Sequence, residues 1–401
     1  MSGVTKHIFE QDIRNIISMW NNQIKTIMNV LPKGYTNQEI LKTIKMFYPH
    51  EWDSVQFKYE YYNAKDKYLK SEIGKVRYNM KQPKNLFLTV NNYKKITDNE
   101  YRKKYDQNFS DDRMKLELSN LEKNRRRKIE KINEKIEIAL IKTQQVTPSF
   151  IDQLVGLYAR KNTEQKDKMY ILLELKKYYC PEIISFMFKL NDTELNKQLR
   201  MEVFYHLQSF SYQPRLRRQK YMQIHTKNKK RKLFLKNIYP DQKYSIPKNP
   251  DELEYRIENS KEQKIKIYDY FISHSSIDRL AVQAYIIHIN SKGKNIFCDW
   301  INDVDYLKRH LACTATLGVI EKRMEQSKAL IFVVSDNSIK SVWCKYELNY
   351  FMGLNKPMYI IMKSDIEQGK FNIEKLIDKW FVDPNYKKLA LLESAKIKIN
   401  T

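Results

Sequence analysis

Residues 328–348 read KALIFVVSDNSIKSVWCKYEL. The first half is a short, continuous apolar run rich in β-branched residues and closed by Ser335-Asp336. A run of that length and composition predicts a strand buried on both faces. The second half, continuing as SIKSVWCKYELNYFMGL, predicts a helix. Trp343 and Glu347 are four residues apart in it, so they lie one above the other on the same face. An aromatic plate beside a carboxylate suits the grip of a nucleoside. It is equally an ordinary way to edge a core, and the stretch alone leaves both readings open.

The same alternation extends on both sides. KIKIYDYFIS (264–273) is a β-rich run, DRLAVQAYIIHINSKG (278–293) an amphipathic helix ending at Gly293, and NIFCDW (295–300) a short strand. LACTATLGVIEKRMEQS (311–327) predicts another helix and KPMYIIM (356–362) another strand. Strands alternating with helices of ten to fifteen residues imply a parallel sheet covered on both faces. Ligands of such sheets sit at the carboxyl ends of the strands. Here those ends are Ser273-His274-Ser275, Asp299-Trp300 and Ser335-Asp336. The first junction, SHSSID, has no glycine and is neither a Walker nor a Rossmann loop. A nucleotide bound there would use the hydroxyls of Ser273, Ser275 and Ser276, backbone N–H groups, and Lys308 and Arg309 of the next loop. Asp299, Asp303 and Asp305 invite a metal reading, but a solvated acidic loop is the expectation, and no metal is assigned.

Three blocks in order, YDYFISHSSIDR, FCDW and SKALIFVVSDNSIKSVWCKYEL, resemble the Toll/interleukin-1 receptor (TIR) domain, in particular its bacterial members. The likeness spans about a quarter of the chain, roughly residues 265–365. It implies a flavodoxin-like fold and, in many members, cleavage of NAD+ between nicotinamide and ribose. NAD+ is then substrate, and no further cofactor is required. By the same resemblance Glu347 is the catalytic carboxylate, Trp343 packs on the nucleotide, and Phe271 and Ser273 line the pocket. His274, Ser275, Asp299, Trp300, Lys308 and Arg309 complete the expected binding set. The loop after Asp299 matches the mobile loop that governs pocket access and self-assembly, hence an expected homo-oligomer. INDVDYLKRHLACT lacks the Arg-Gly pair common in plant members. Bacterial members often serve in antiphage defence. Hydrolysis with NAD+ depletion is the favoured expectation here, with a cyclic or modified ADP-ribose as the alternative. A non-enzymatic TIR scaffold and a nucleic-acid sensor assembled through its TIR domain are the readings from other classes.

The chemistry is consistent with a single carboxylate. Nicotinamide leaves as a neutral ring from a cationic pyridinium, so no general acid is needed. The transition state is oxocarbenium-like, and one glutamate can hold the ribose hydroxyls and stabilise the developing positive charge.

The rest of the 401 residues carries no motif with chemistry. The net charge is +26, of which about +20 precedes residue 261. That excess fits either an acidic partner or a lysine-rich genome. The expected division is a helical basic region (1–143), a helical bundle or solenoid-like region with a basic tail (144–237), a linker (238–262) marked by Pro240, Pro247 and Pro250, and the TIR domain (263–401). PKNLFLTVNNYKKIT (83–97) is the one N-terminal stretch that could be a strand. Arg125, Arg126, Arg127 and Lys128 could touch phosphate on a long charged helix, though a solvated helix face is the more frequent explanation of such a cluster. The strongest polyanion candidate is the basic tail, with Arg215, Arg217, Arg218, Lys220, Lys229, Lys230, Arg231 and Lys232 interleaved with Tyr221 and Phe234. A solvated connector explains the same strip. The four cysteines, Cys180, Cys298, Cys313 and Cys344, form no CxxC pair, so neither zinc nor a disulfide framework is indicated. The polar start MSGVTKHIFEQDIRN and the absence of any apolar run near 18 residues give a cytoplasmic, membrane-free expectation.

Overall fold

The computed structural model describes residues 4–213, 238–308 and 311–376, together with Lys229 and Leu233. The chain divides into two compact units, Met1–Glu137 with Leu207–Pro214, and Ile138–His206 with Arg215–Thr401.

The first unit is helical. Long helices Val4–Ile27 and Pro49–Ile73 bury Trp20 against Trp52 and Phe87. The stretch 83–97 is two short helices, Pro83–Phe87 and Asn91–Thr97, and not a strand. Pro83 sits in the first helical turn, where its missing N–H costs nothing. Arg125 does not face solvent. It is buried, donates to the Phe47 carbonyl at 2.6 Å, pairs with Glu51 at 2.9 Å, and lies over the Tyr48 ring. It thus caps the carboxyl end of helix Asn37–Phe47. Asp66, also buried, accepts the N–H groups of Arg77, Tyr78 and Asn79 and holds the turn that follows its helix.

The second unit is built on a five-stranded sheet in the order β2-β1-β3-β4-β5. The strands are β1 (Tyr268–Ser273), β2 (Ile296–Phe297), β3 (Ser327–Val334), β4 (Met358–Met362) and β5 (Glu374–Lys375). The first four run parallel, and β5 pairs antiparallel with β4. Successive strand residues point to opposite faces. Phe271, Leu330 and Phe332 therefore join Phe297, Ile320, Leu348 and Phe351 on one face. Ile272, Ile331 and Val333 join Val282, Ile286 and Ile289 on the other. Both faces are buried, which is why the strands read as unbroken apolar runs.

Five helices matter for the site: α1 (Gln165–Leu175), α2 (Pro250–Asn259), α3 (Arg279–Ser291), α4 (Thr314–Glu325) and α5 (Val342–Gly353). Just past the end of α3, Gly293 takes a left-handed φ of 72°. The 238–262 stretch, expected as a linker, contains α2, with Leu253 and Ile257 packed on Val319 of α4. The helical segment 138–206 belongs to the same unit as the sheet. Its Gln144 accepts from the backbone N–H of Ile296 at 3.2 Å and donates to the Ile296 carbonyl, so it covers the β2 edge that would otherwise be unpaired.

Candidate active site

α5 begins at Ser341, whose hydroxyl caps the N–H of Cys344 at 3.3 Å. That start sets the helix rotation. Cys344, Leu348 and Phe351 turn into the core, while Trp343 and Glu347 turn toward the carboxyl ends of β1 and β2. There they line a cavity of about 450 Å³, within the range of small-molecule sites. Its floor is Phe271, Ile272 and Phe297 of the sheet, and its far wall is Thr316 and Ile320 of α4 with Leu307 and Lys308 of the preceding loop.

Glu347 is enclosed by protein except where it opens into this cleft. The Ser273 hydroxyl, at the end of β1, donates to Glu347 Oε2 at 2.6 Å. Burial pushes the Glu347 carboxyl from its ordinary value up to about 8. The Ser273 hydrogen bond opposes that rise, and the nearby Asp299 carboxylate adds to it. Without a ligand the group is therefore mostly a neutral acid at pH 7, and a cation placed beside it would favour its ionisation. Cys344, on the same helix, is pushed up to about 12 by burial, so it is an inert packing thiol.

Of the other expected residues, His274, Ser275, Asp299 and Lys308 line the cavity. Ser275 also caps the short 3-10 turn Ser276–Asp278. Trp300 does not line it. Its indole N–H donates to His274 Nε2 at 2.9 Å, and the Arg279 guanidinium stacks on its ring. Since indole only donates, Nε2 of His274 carries no proton, and Nδ1 is the atom that donates to the Ile272 carbonyl at 3.2 Å. His274 is thus a wall residue with both ring nitrogens occupied by protein partners. Arg309 lies outside the described residues, as do Arg215, Arg217, Arg218, Lys220, Lys230, Arg231 and Lys232 of the basic tail. Lys229 of that tail is exposed. Among the described residues no helix is long and apolar enough to cross a membrane.

His274, Cys298 and Asp299 bring possible ligand atoms within 4.8 Å of one another. The Cys298 thiol is pushed well up by burial and stays protonated, and the imidazole is committed as above. Of the three loop acids, Asp303 is not solvated at all. It is fully buried and paired with Arg323 at 2.8 Å, whereas Asp305 pairs with Lys248 at the surface.

Residues 309–362 match the family model described as TIR domain. The candidate cyclic ADP-D-ribose synthase TIR2 of Cytobacillus dafuensis is 32% identical over 373 residues, covering 93% of this chain and 95% of the relative. The chain belongs to the TIR-domain family. A second relative, the candidate 3′ cyclic ADP-D-ribose synthase ThsB′ of Bacillus cereus strain MSX-D12, is 35% identical over 108 residues, which is 26% of this chain and 55% of that one. No solved structure gives a significant match.

Several parts of this TIR cleft carry no local sequence signal. Thr316 and Ile320 read as ordinary helix positions. Asp278 is a hub that accepts from Ser335, from Asn337 at 2.9 Å and from Lys363 at 3.1 Å, and so ties together the loops after β1, β3 and β4.

Proposed function

We propose that this TIR protein cleaves NAD+ at the bond between nicotinamide and ribose, with Glu347 as the catalytic carboxylate. The observation that carries the reading is the Glu347 carboxyl at the inner wall of the cleft, held by Ser273. The bond between ribose C1′ and the pyridinium nitrogen breaks with its electron pair going to nicotinamide. The ribosyl cation left behind is stabilised by the ionised carboxylate. Either water or a nucleophile of the adenosine half of the same molecule, an adenine ring nitrogen or a ribose hydroxyl, then attacks C1′ and gives up one proton. The first path yields ADP-ribose and the second cyclic ADP-ribose. Trp343, half-buried against Leu317 and Tyr346, is the flat wall on which a ring can stack. Phe271, Ser275, Asp299 and Lys308 shape the remainder of the cleft, with Lys308 as the cation available to the pyrophosphate.

Both relatives are named for cyclic ADP-D-ribose synthesis, which supports the intramolecular path over release to water. A role in antiphage defence, with activity switched on through assembly and through the N-terminal unit, is the cellular reading that accompanies it. The test is to incubate concentrated protein with NAD+ and identify the products by mass. The expected result is one nicotinamide for each cyclic ADP-ribose formed. Intact NAD+ after prolonged incubation of assembled protein would reject the enzymatic reading in favour of a scaffold.

A further inference from the structure

One sealed polar cluster lies between the helical segment and the sheet. Asp303 begins the loop that supplies Leu307 and Lys308 to the cleft. Its backbone carbonyl accepts the N–H groups of Tyr306 and Leu307, each at 2.9 Å. Its carboxylate is gripped from two directions. Arg323 of α4 donates at 2.8 and 3.3 Å, and Lys177, just after α1, donates at 3.2 Å. The Asp303 and Arg323 side chains are fully buried. Lys177 also lies over the ring of Tyr306, 5.9 Å from its centroid, on the same loop.

Lys177 is itself fixed. Its carbonyl accepts from the Gln144 backbone at 2.9 Å, and the Gln144 side chain bonds to the β2 backbone and to Asn302. Its ammonium also bonds Glu174 at 2.9 Å, which in turn binds Gln263 and Lys266. Lys177 therefore joins Glu174 of α1 to the first residue of the loop that carries Leu307 and Lys308 into the cleft.

We propose that Asp303 is a positioning residue for the cleft, and that Lys177 holds it, so that the helical segment 138–206 sets the position of Leu307 and Lys308 in the cleft wall. The inference rests on the NAD+-cleavage reading of the cleft for its kinetic consequence, but not for its structural one. Loss of Lys177 leaves Asp303 paired with Arg323 and Glu174 paired with Lys266, so neither carboxylate is stranded. The fold should survive while the wall loosens.

The test compares full-length protein with Lys177→Met and Lys177→Arg by NAD+ kinetics and by hydrogen exchange. In Lys177→Met, KM for NAD+ should rise about three- to tenfold with kcat changed less than twofold. Exchange should accelerate in residues 303–308 while β1, β3 and β4 keep their protection. Lys177→Arg should restore both readouts. If the methionine variant does not fold, Lys177→Gln replaces it, with the same direction expected. A fall in kcat at unchanged KM, or faster exchange spread evenly over the strands, would mean a purely structural role and would overturn the proposal. If the parent protein leaves NAD+ intact, the functional reading fails, and the exchange pattern still decides the coupling.

Discussion

The Ser273 hydroxyl donates to Glu347 Oε2 across 2.6 Å, joining the last residue of β1 to the second turn of α5. The bond sets both the direction and the acidity of the one carboxyl that opens into the cleft from this helix. It favours the ionised form, against burial, which favours the neutral one.

Replacing Ser273 with alanine therefore has a defined consequence. Glu347 loses the donor that stabilises its charge, and its pKa moves further up. Nicotinamide release at pH 7 should fall by about tenfold, a typical loss for one charge-assisted hydrogen bond. The deficit should shrink toward pH 9. A deficit independent of pH would place the effect of Ser273 elsewhere.

The pH profile of the parent protein follows from the same group. On the proposed mechanism the free protein must ionise Glu347 to act, so kcat/KM should rise with pH, with its midpoint at about 8. In the complex the pyridinium cation favours the carboxylate, so the profile of kcat should lie at lower pH than that of kcat/KM. Steady-state kinetics between pH 5.5 and 9.5, with stability checked at each pH, would measure both. A profile falling over this range would contradict the assignment.

Stability offers an independent check. The folded pKa is about 8 and the ordinary value 4.5. Between these values the unfolded chain is ionised while the folded protein holds the proton. Unfolding then releases a proton, so stability drops as pH rises through the window. Glu347→Gln cannot ionise and removes that slope. The variant should gain on the order of 1–3 kcal/mol over the parent at pH 8, and little at pH 4.5. Paired denaturant titrations at the two pH values would read this difference. A variant less stable than the parent at pH 8 would sink it.

Trp343 divides its surface between the cleft and a small cluster with Leu317 and Tyr346. Trp343→Phe keeps a ring and should raise KM for NAD+ by about threefold. Trp343→Ala removes the wall and should raise it by about tenfold or more, with some loss of stability. Equal KM values for the parent and the alanine variant would assign the residue to packing alone.

How much of this was legible depends on how far each signal reaches along the chain. Strands β1 to β4, their helices and their parallel order were legible, because burial on both faces leaves period and composition as local marks, whereas the exposed antiparallel β5 carries no such mark. Trp343 and Glu347 were legible as a pair because helical spacing places them together. Asp303 was misread as a solvated loop acid, since nothing near it in sequence reveals Arg323 or Lys177, twenty and 126 residues away. Gln144 was invisible for the same reason, as its partners lie 152 and 158 residues on. The 83–97 stretch was misread because its apolar residues are too few to separate a strand period from two short helices. Arg125 was read as one of four basic surface residues, though only its tertiary neighbours turn it inward.

The central claim is that the Glu347 carboxyl stabilises a ribosyl cation formed from NAD+ in this cleft. The most direct measurement is nicotinamide release, at saturating NAD+, by the parent and by Glu347→Gln at equal concentration and equal assembly state. The account predicts release by the parent and at least a hundredfold slower release by the glutamine variant, which keeps the shape and loses the charge. Equal release by the two proteins would contradict it.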